Sequence, residues 1–296
     1  MNTVARLRGV SKRYGATVAL QGVDLDVPAG QLLAVLGPNG AGKTTAVNLL
    51  CGLRRPDAGT VEVLGGDPRD AATRRHVGVT PQAAGTPEAL TVREVVDYVR
   101  AHYPDPMATA EVLARFELET VAGRQTGGLS GGQRRRLAVA LAFAGRPRLV
   151  LLDEPTTGLD VDARRALWRV VREELAAGRT ILLTTHYLEE AEALADQVVV
   201  LTDGRIRAQG TVADIKASVE LTRVRARIPE LALAGLPGVV RAEADGERAT
   251  LFTTDADDLV RHLVQSDVDF AGLEVAPVSL EEAFLVLTAD REEVSA

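Results

Sequence analysis

The hydrophobic positions of this chain follow two patterns that alternate along the sequence. Short, nearly continuous apolar runs at residues 31–36, 149–152, 180–184 and 197–201 predict buried strands. Segments of helix length lie between them, and we expect residues 44–53 and 134–143 to be helices. Strands that alternate with helices predict an α/β fold with a mostly parallel sheet flanked by helices.

A different pattern precedes the first of these strands. Apolar and polar positions alternate at residues 4–14 and 20–27, with turn residues at Gly15 and Pro28. This alternation predicts an antiparallel β subdomain beside the parallel core. Further along, residues 91–122 show helical periodicity and few strand signals. We therefore expect a helical insertion, forming a subdomain over about 86–145.

The composition changes near Lys216. Residues 1–217 hold 27 basic and 25 acidic side chains, whereas residues 218–296 hold 7 and 16. We expect one domain over 1–217 and a small C-terminal α+β domain over 218–296. Its acidic charge argues against a nucleic-acid partner there. In this second domain the pattern predicts strands at 222–228, 249–253 and 272–276, a helix at 256–265, and a Pro/Gly break at 229–238.

The composition is that of a globular protein. Of the 296 residues, 46% are hydrophobic, which is enough for a large core. No run approaches about 18 apolar residues, and no apolar signal region stands near residue 1, so we expect no direct membrane insertion. Cys51, the single cysteine, lies in an apolar run, so we expect a buried structural thiol, which fits a cytoplasmic protein.

A glycine-rich loop follows the first predicted buried strand and precedes a helix. It contains one of only three lysines among the 34 basic residues of the chain, although arginine is used almost everywhere else. In such a loop the backbone N–H groups and the helix N-terminus face an anion, and a compact ammonium group enters the cradle. A nucleotide is therefore the first hypothesis, with Lys43 on its outer phosphates and the Thr44 hydroxyl on Mg²⁺. The loop consists of Gly37, Pro38, Asn39, Gly40, Ala41, Gly42, Lys43 and Thr44.

Two carboxylates end the buried strand at 149–152. Asp153 and Glu154 are adjacent, and neighbouring side chains of a continuous strand point to opposite faces. A turn at this point would aim both at one site. We expect Asp153 to be the magnesium partner and Glu154 to be the base that polarises the attacking water.

A second glycine-rich loop contains a serine and stands at the start of the helical run 134–143. Ser130, Gly131, Gly132 and Gln133 form a second potential anion site, because an N-terminal serine and paired glycines both favour one. Two phosphate cradles with one magnesium site suggest that a second copy of the chain completes each nucleotide site.

The remaining charged and histidine residues receive no chemical role. Arg134, Arg135 and Arg136 are interpreted as a solvated helix face, because no basic stripe extends them and aromatic residues make up only 3% of the chain. No nucleic-acid partner is expected. His76, His102 and His262 have no partners at metal-ligand spacing.

With these motifs in order, the chain resembles the nucleotide-binding subunit of an ATP-binding cassette (ABC) transporter, whose core is a P-loop NTPase fold. The resemblance covers residues 1–217. Tyr14 matches the aromatic residue that stacks on adenine, the loop from Gly37 to Thr45 matches Walker A, and Gln82 matches the glutamine that touches metal and membrane subunit. The signature loop, the Walker B strand, the loop that crosses the dimer and the switch histidine are matched by Leu129 to Gln133, Leu149 to Glu154, Gly158 to Asp160, and His186.

The resemblance implies a role for each matching residue. Glu154, His186 and Gln82 act in hydrolysis, and Thr44, Gln82 and Asp153 hold Mg²⁺. Each ATP is sandwiched in a homodimer. One subunit contributes Tyr14, Gly37, Pro38, Asn39, Gly40, Ala41, Gly42, Lys43, Thr44 and Thr45, and the other contributes Ser130, Gly131, Gly132, Gln133 and Asp160.

The C-terminal domain gives the only indication of cargo. Residues 278–284 and their surroundings resemble the extension of the bacterial subfamily that includes drug-resistance and sodium-efflux ATPases, whose membrane partner is a separate polypeptide. Export is therefore favoured, by a subunit peripheral on the inner face of the cell membrane that drives a separate transmembrane permease. We interpret the extension as a packing or dimer-stabilising element without substrate contact.

Three alternatives use some of the same motifs. A soluble cassette ATPase in cluster assembly or DNA repair, or an importer ATPase, would share the residues of 1–217. Repair forms carry zinc modules or coiled coils, the assembly form lacks this extension, and sugar importers carry larger β-rich domains. A small-molecule kinase would share only Lys43 and the glycine loop and would leave Ser130 to Gln133 unexplained.

Overall fold

A computed structural model describes residues 2–80, 85–228, 235–246, 248–266 and 269–289. They form two compact units, Met1–Thr211 and Val212–Ala296. The first unit contains, in chain order, β1 (Thr3–Tyr14), β2 (Thr17–Pro28), β3 (Leu32–Leu36), α1 (Lys43–Leu50), β4 (Ala58–Val63), α2 (Ala71–Arg74), β5 (Val77–Thr80), α3 (Val92–Arg100), α4 (Thr109–Arg115), two 3₁₀ turns (Glu119–Val121 and Thr126–Gly128), α5 (Gly131–Phe143), β6 (Leu149–Asp153), α6 (Val161–Ala176), β7 (Thr180–Thr185), α7 (Leu188–Leu194), β8 (Gln197–Thr202) and β9 (Arg205–Gly210).

A six-stranded sheet forms the centre of the first unit, in the order β5-β6-β7-β3-β8-β9. Its strands pair in parallel except β9, which is antiparallel to β8. Every residue of β3, β6 and β7 is buried, which explains why these strands appear in the sequence as continuous apolar runs. The mostly parallel sheet is as predicted, and the two edge strands, the parallel β5 and the antiparallel β9, are additions to that prediction.

A separate antiparallel sheet lies in the same unit, in the order β2-β1-β4. The sequence predicted β1 and β2 but not β4, whose residues 58–62 are all at least partly exposed and carry no strand-length apolar run. The inner faces of β1 and β2 share one hydrophobic core with α1 and the central sheet, through residues such as Leu7, Leu25 and Leu50. This common core fixes the antiparallel sheet beside the glycine loop.

Two predicted helix boundaries are corrected by the structure. Helix α1 ends at Leu50 rather than at residue 53, since Gly52 adopts the left-handed conformation with φ of 72° just after it. Helix α5 begins at Gly131 rather than at residue 134, because Ser130 and Gln133 form a capping box that satisfies its first N–H groups. The helical insertion contains α3 and α4 as expected, and α3 begins with the capping box of Thr91 and Glu94.

The second unit is a small α+β module with its own core. It contains α8 (Val212–Ala217), which precedes the boundary expected after residue 217. The remaining elements are β10 (Thr222–Arg227), β11 (Val239–Asp245), β12 (Arg248–Thr253), α9 (Ala256–Gln265), β13 (Ala271–Pro277) and α10 (Leu280–Thr288), of which β11 and α10 were not predicted. The four strands form an antiparallel sheet in the order β11-β12-β10-β13, whose inner residues Val224 and Leu251 pack against Leu259 and Leu263.

Two further sequence expectations concern burial and membranes. Cys51 is buried, as predicted, and desolvation raises the pKa of its thiol. Within the described ranges, no helix combines the length and apolar character that crossing a bilayer requires.

We expect the buried carboxylate of Glu174 to stabilise the first unit. It lies on α6, is fully buried, and forms ion pairs with Arg115 and Arg179. Substitution Glu174→Ala leaves both guanidinium groups without this partner and should lower the free energy of unfolding by about 2–3 kcal/mol, measured in urea. The neighbouring exposed Glu173 is the control, and Glu173→Ala should change it by less than about 0.5 kcal/mol. Equal effects of the two variants would contradict this prediction.

Candidate functional site

The candidate site lies at one edge of the central sheet, where three parallel strands end together. Strand β7 lies between β6 and β3, and its terminal residues align with theirs, Thr184 with Asp153 and Thr185 with Leu36. The glycine loop that follows β3, the carboxylates that end β6 and the histidine that follows β7 are therefore brought to the same edge. Carboxyl ends of parallel strands are a common place for ligand sites.

The glycine loop depends on two close backbone approaches. Gly42 has φ of 107° and immediately precedes α1, and a Cβ atom there would lie 2.3 Å from the carbonyl oxygen of Ala19. A Cβ atom on Gly37 would lie 2.3 Å from the carbonyl oxygen of Leu201. Glycine is therefore required at both positions, because any side chain would push the loop away from the neighbouring strands.

The first turn of α1 has neither a side-chain cap nor an acidic residue of its own. Thr44 and Thr45 are half-buried there. Lys43 is 5% exposed, and its Nζ donates to the carbonyl oxygens of Gly37 at 2.6 Å and Pro38 at 3.1 Å. Backbone N–H groups, a helix N-terminus and a buried ammonium group together suit a phosphate.

Glu154 is the point at which the glycine loop and the histidine meet. Its Oε1 lies 3.4 Å from Nζ of Lys43 and 3.4 Å from Nδ1 of His186, and the residue is 7% exposed. Glu154 adopts a left-handed backbone conformation with φ of 50°. This conformation ends the strand and forms a turn directly after Asp153, at the position where a turn was expected.

Thr184 holds the two carboxylate residues in place. Its hydroxyl donates to Oδ1 of Asp153 and accepts from the backbone N–H of Glu154 at 3.1 Å. The same N–H donates to the carbonyl oxygen of Thr184 at 3.0 Å. Thr184 was not singled out from sequence, because a threonine within a buried strand carries no motif of its own.

The second glycine-rich loop forms a regular helix start. The Ser130 hydroxyl accepts from the N–H of Gln133 at 3.2 Å, and the Ser130 N–H donates to the Gln133 side chain at 3.1 Å. A Cβ atom on Gly132 would lie 3.6 Å from a methyl group of Leu159, so this loop lies beside the loop before α6. There Asp160 caps α6 by accepting from the N–H of Ala163 at 2.8 Å.

Arg135 corrects the prediction that Arg134 to Arg136 form a solvated face. Its guanidinium donates to three successive carbonyl oxygens, those of Asp153, Glu154 and Pro155. Helical periodicity could not separate it from its neighbours, because every residue from 137 to 140 is buried and α5 has no single apolar face. Only the packing of α5 beside the end of β6 shows that Arg135 bonds to these carbonyl oxygens and does not face solvent.

Glu190 is a buried acidic residue that the sequence analysis did not identify. Its carboxylate accepts from the Thr156 hydroxyl and from the indole N–H of Trp168, both at 3.2 Å. Burial raises the pKa of Glu190, and hydrogen bonds from Thr185, Trp168 and Thr156 oppose that shift only in part. The carboxylate thus links the loop after β6 to α6 and to the end of β7.

Tyr14 ends β1 with 44% of its surface exposed, and its ring centroid is 5.7 Å from Nζ of Lys12. Gln82 lies outside the described residues. Within the described ranges, no group of three or more His, Cys, Asp or Glu side chains is placed to hold a metal ion.

These features define the class of the protein. A glycine loop between a buried strand and a helix, with its lysine beside a carboxylate that follows another strand of the same parallel sheet, is the arrangement of a P-loop nucleotide-binding domain.

Comparison with known proteins identifies the family. A family model of ABC transporters matches residues 20–157. The daunorubicin resistance ATP-binding protein DrrA3 of Streptomyces coeruleorubidus is 38% identical over 99% of this chain and 98% of its own length. The Nod factor export ATP-binding protein I of Ralstonia nicotianae is 37% identical over 96% of this chain and 94% of its own.

Solved structures agree with this assignment. The ATP-binding subunit of an ABC transporter is 32% identical, with a TM-score of 0.67 over 73% of this chain and 93% of its own. A dimeric ATP-binding cassette in a post-hydrolysis state, with ADP and phosphate bound, is 27% identical, with a TM-score of 0.65 over 70% and 98%. The chain therefore belongs to the ABC transporter family, and it is an ATP-binding subunit with ATPase activity.

The buried Glu190 predicts a specific dependence of stability on pH. Since its pKa in the folded state is raised above its ordinary value of 4.5, the folded state binds more protons than the unfolded state in the window above that value. The stability contribution of Glu190 is therefore present below this window and is lost as the pH rises through it. The free energy of unfolding of the parent, minus that of Glu190→Gln, should fall as the pH rises from about 4.5 to 8.

The control is Glu189→Gln, because the Glu189 side chain is 80% exposed on the same helix. The corresponding difference for this variant should stay flat across the same pH range. Urea unfolding at four or more pH values measures both differences, and a flat difference for Glu190→Gln would refute the assignment of the pH dependence to Glu190.

Proposed function

We propose that the protein binds and hydrolyses ATP as a homodimer and drives a separate transmembrane permease that exports drugs, lipids or other small molecules. It would lie in the cytoplasm, peripheral on the inner face of the cell membrane. The observation that carries the proposal is the meeting of Lys43, Glu154 and His186 at one carboxylate oxygen, at the edge where the glycine loop also ends. The groups proposed to bind phosphate and to activate water therefore lie next to each other.

For the nucleotide, the proposal assigns the phosphates to Gly37 through Thr45. The first N–H groups of α1 lack a side-chain cap, and Lys43 is held inside the loop by the Gly37 carbonyl. Its ammonium group is therefore positioned to bridge the outer phosphates. The exposed ring of Tyr14 is free to stack on the adenine.

Magnesium fits the oxygen groups at this edge. Mg²⁺ prefers hard oxygen ligands and is held by few protein groups together with phosphate oxygens, so a cluster of three acidic side chains is not required. The half-buried Thr44 hydroxyl and the Asp153 carboxylate, with Gln82, would hold it. When bound, the ion would neutralise charge on the phosphates.

For hydrolysis, Glu154 would act as the base and His186 as its partner. Glu154 is buried, its turn is fixed by Thr184, and His186 contacts its Oε1. A carboxylate with so few rotational choices is suited to orient an attacking water. Gln82 would contribute beside the metal.

Dimerisation would complete each site. Ser130, Gly131, Gly132 and Gln133 begin a capped helix, and Ser130 and Gly131 are exposed to a partner. The N-terminus of α5 would meet the γ-phosphate of the ATP bound to the partner, and Asp160 would contribute from the adjacent loop. Because the γ-phosphate contacts both subunits, its loss on hydrolysis removes a differential contact and opens the dimer.

The family and the relatives support the proposed coupling and the direction of transport. Gln82 and the helical insertion would pass the motion to the permease. The full-length similarity to a drug resistance protein and to a Nod factor export protein favours export over import or a soluble role. Arg135 and Arg136 are engaged with protein oxygens, which speaks against a nucleic-acid partner. The C-terminal domain, with its own core, would pack or stabilise the dimer.

The first test is Glu154→Gln. The variant should bind ATP as the parent does, hydrolyse it at least about 100-fold more slowly and accumulate as an ATP-bound dimer, because the base is lost while the phosphate contacts remain. Steady-state phosphate release and size-exclusion chromatography with light scattering measure these properties. Turnover at the parent rate would show that Glu154 is not the base.

The second test is Ser130→Arg, made also in the Glu154→Gln background. A long cation in the exposed loop should block the dimer and lower ATPase activity at least about 10-fold, while nucleotide binding to the monomer changes little. Thr91→Arg is the matched control, since it removes the capping box of α3 instead. Thr91→Arg should still form the dimer, and unchanged ATPase activity of Ser130→Arg would contradict the shared site.

A further inference from the structure

We propose that Arg135 is a positioning residue for hydrolysis, which holds the backbone turn of Glu154 and ties it to helix α5 of the same subunit. The inference rests on the proposed role of Glu154 as the base. Arg135 belongs to none of the matched motifs and was expected to face solvent.

Three hydrogen bonds of Arg135 converge on the turn at Glu154. Nη2 donates to the carbonyl oxygens of Asp153 and Glu154, the latter at 2.5 Å, and Nε donates to that of Pro155 at 3.0 Å. These three carbonyls belong to consecutive residues centred on the left-handed Glu154. One planar guanidinium thus determines where three peptide groups lie.

The turn needs such support. A non-glycine residue with φ of 50° is in an unfavourable conformation, and such conformations persist where surrounding contacts over-determine them. On the N–H side of Glu154, Thr184 supplies two acceptors. On the carbonyl side, the Thr157 N–H donates at 3.2 Å, and Arg135 donates a second hydrogen bond. Removing the guanidinium therefore loosens one side of the turn and leaves the other side intact.

Helix α5 gives this contact a second consequence. Ser130 caps α5, and Arg135 projects from its second turn, so one rigid element bears both the loop proposed to meet the partner's ATP and the group that holds Glu154. A shift of α5 when the signature loop engages the nucleotide would be transmitted to the base of the same subunit. The three hydrogen bonds of Arg135 therefore link the turn that carries the proposed base to the helix that begins at the shared loop.

The experiment compares Arg135→Met, which keeps the aliphatic stem but removes every donor, with Arg135→Lys, which keeps the charge but not the fork. For Arg135→Met, kcat should fall at least about 10-fold with KM for ATP changed less than about 2-fold, since a displaced base slows chemistry without removing phosphate contacts. Arg135→Lys should lie between the parent and Arg135→Met.

A double-mutant cycle separates positioning from general destabilisation. In the Glu154→Gln background, measured by single-turnover phosphate release, Arg135→Met should cost less than about 2-fold, because the group that it positions is already disabled. A loss as large as in the parent background would show that Arg135 acts elsewhere, and would overturn the proposal.

Arg136→Met is the matched control on the same helix. Arg136 donates to the carbonyl and carboxylate oxygens of Glu117, away from the turn, so kcat should stay within about 2-fold of the parent.

If Arg135→Met does not fold, Arg135→Lys carries the test, and a folded Arg135→Lys with the parent's kcat would overturn the proposal. If Glu154→Gln hydrolyses ATP normally, the proposed base is wrong. If Glu154→Gln is inactive but both Arg135 variants are fully active, only the positioning role fails.

Discussion

The site depends on one backbone turn at the end of a buried strand. Glu154 leaves the extended conformation with φ of 50°, so the chain turns at this residue and the alternation of strand side chains ends here. Hydrogen bonds from its N–H to Thr184, and from Arg135 to its carbonyl, hold the turn. The unfavourable conformation is stabilised from both sides, which is the condition under which such conformations persist.

The order of the central sheet gives that turn its partners. Because β7 lies between β6 and β3, the residue after β7 and the loop after β3 reach the same edge as Glu154. His186 and Lys43 come from distant parts of the sequence, yet both contact one oxygen of Glu154 at 3.4 Å. A different strand order with the same motifs would separate them. The parallel topology therefore does more than support the site, because it decides which side chains meet there.

The first unit also links the site to its surroundings through charged side chains that are partly or fully buried. Arg135 connects the end of β6 to α5, and Glu190 connects the following loop to Trp168 on α6. Desolvation makes each of these groups unfavourable alone, as the raised pKa of Glu190 and the lowered pKa of Arg135 indicate. Their hydrogen bonds compensate in part, and they specify how neighbouring loops pack. A nucleotide-driven motor needs such defined connections to turn binding into movement.

The sequence by itself determined the fold class, the glycine loop, the paired carboxylates and the family, because periodicity and local motifs are written in consecutive residues. It also placed the helix Ala256–Gln265 and the main buried strands. It missed β4, β9 and β11, whose exposed positions give no apolar run, and β5, which has only four residues. It misjudged Arg135, because the residues that follow it in α5 are buried on every side and no face distinguishes one arginine from the next. Only the tertiary structure decided which distant side chains touch Glu154, since long-range packing brings together residues that share no local pattern.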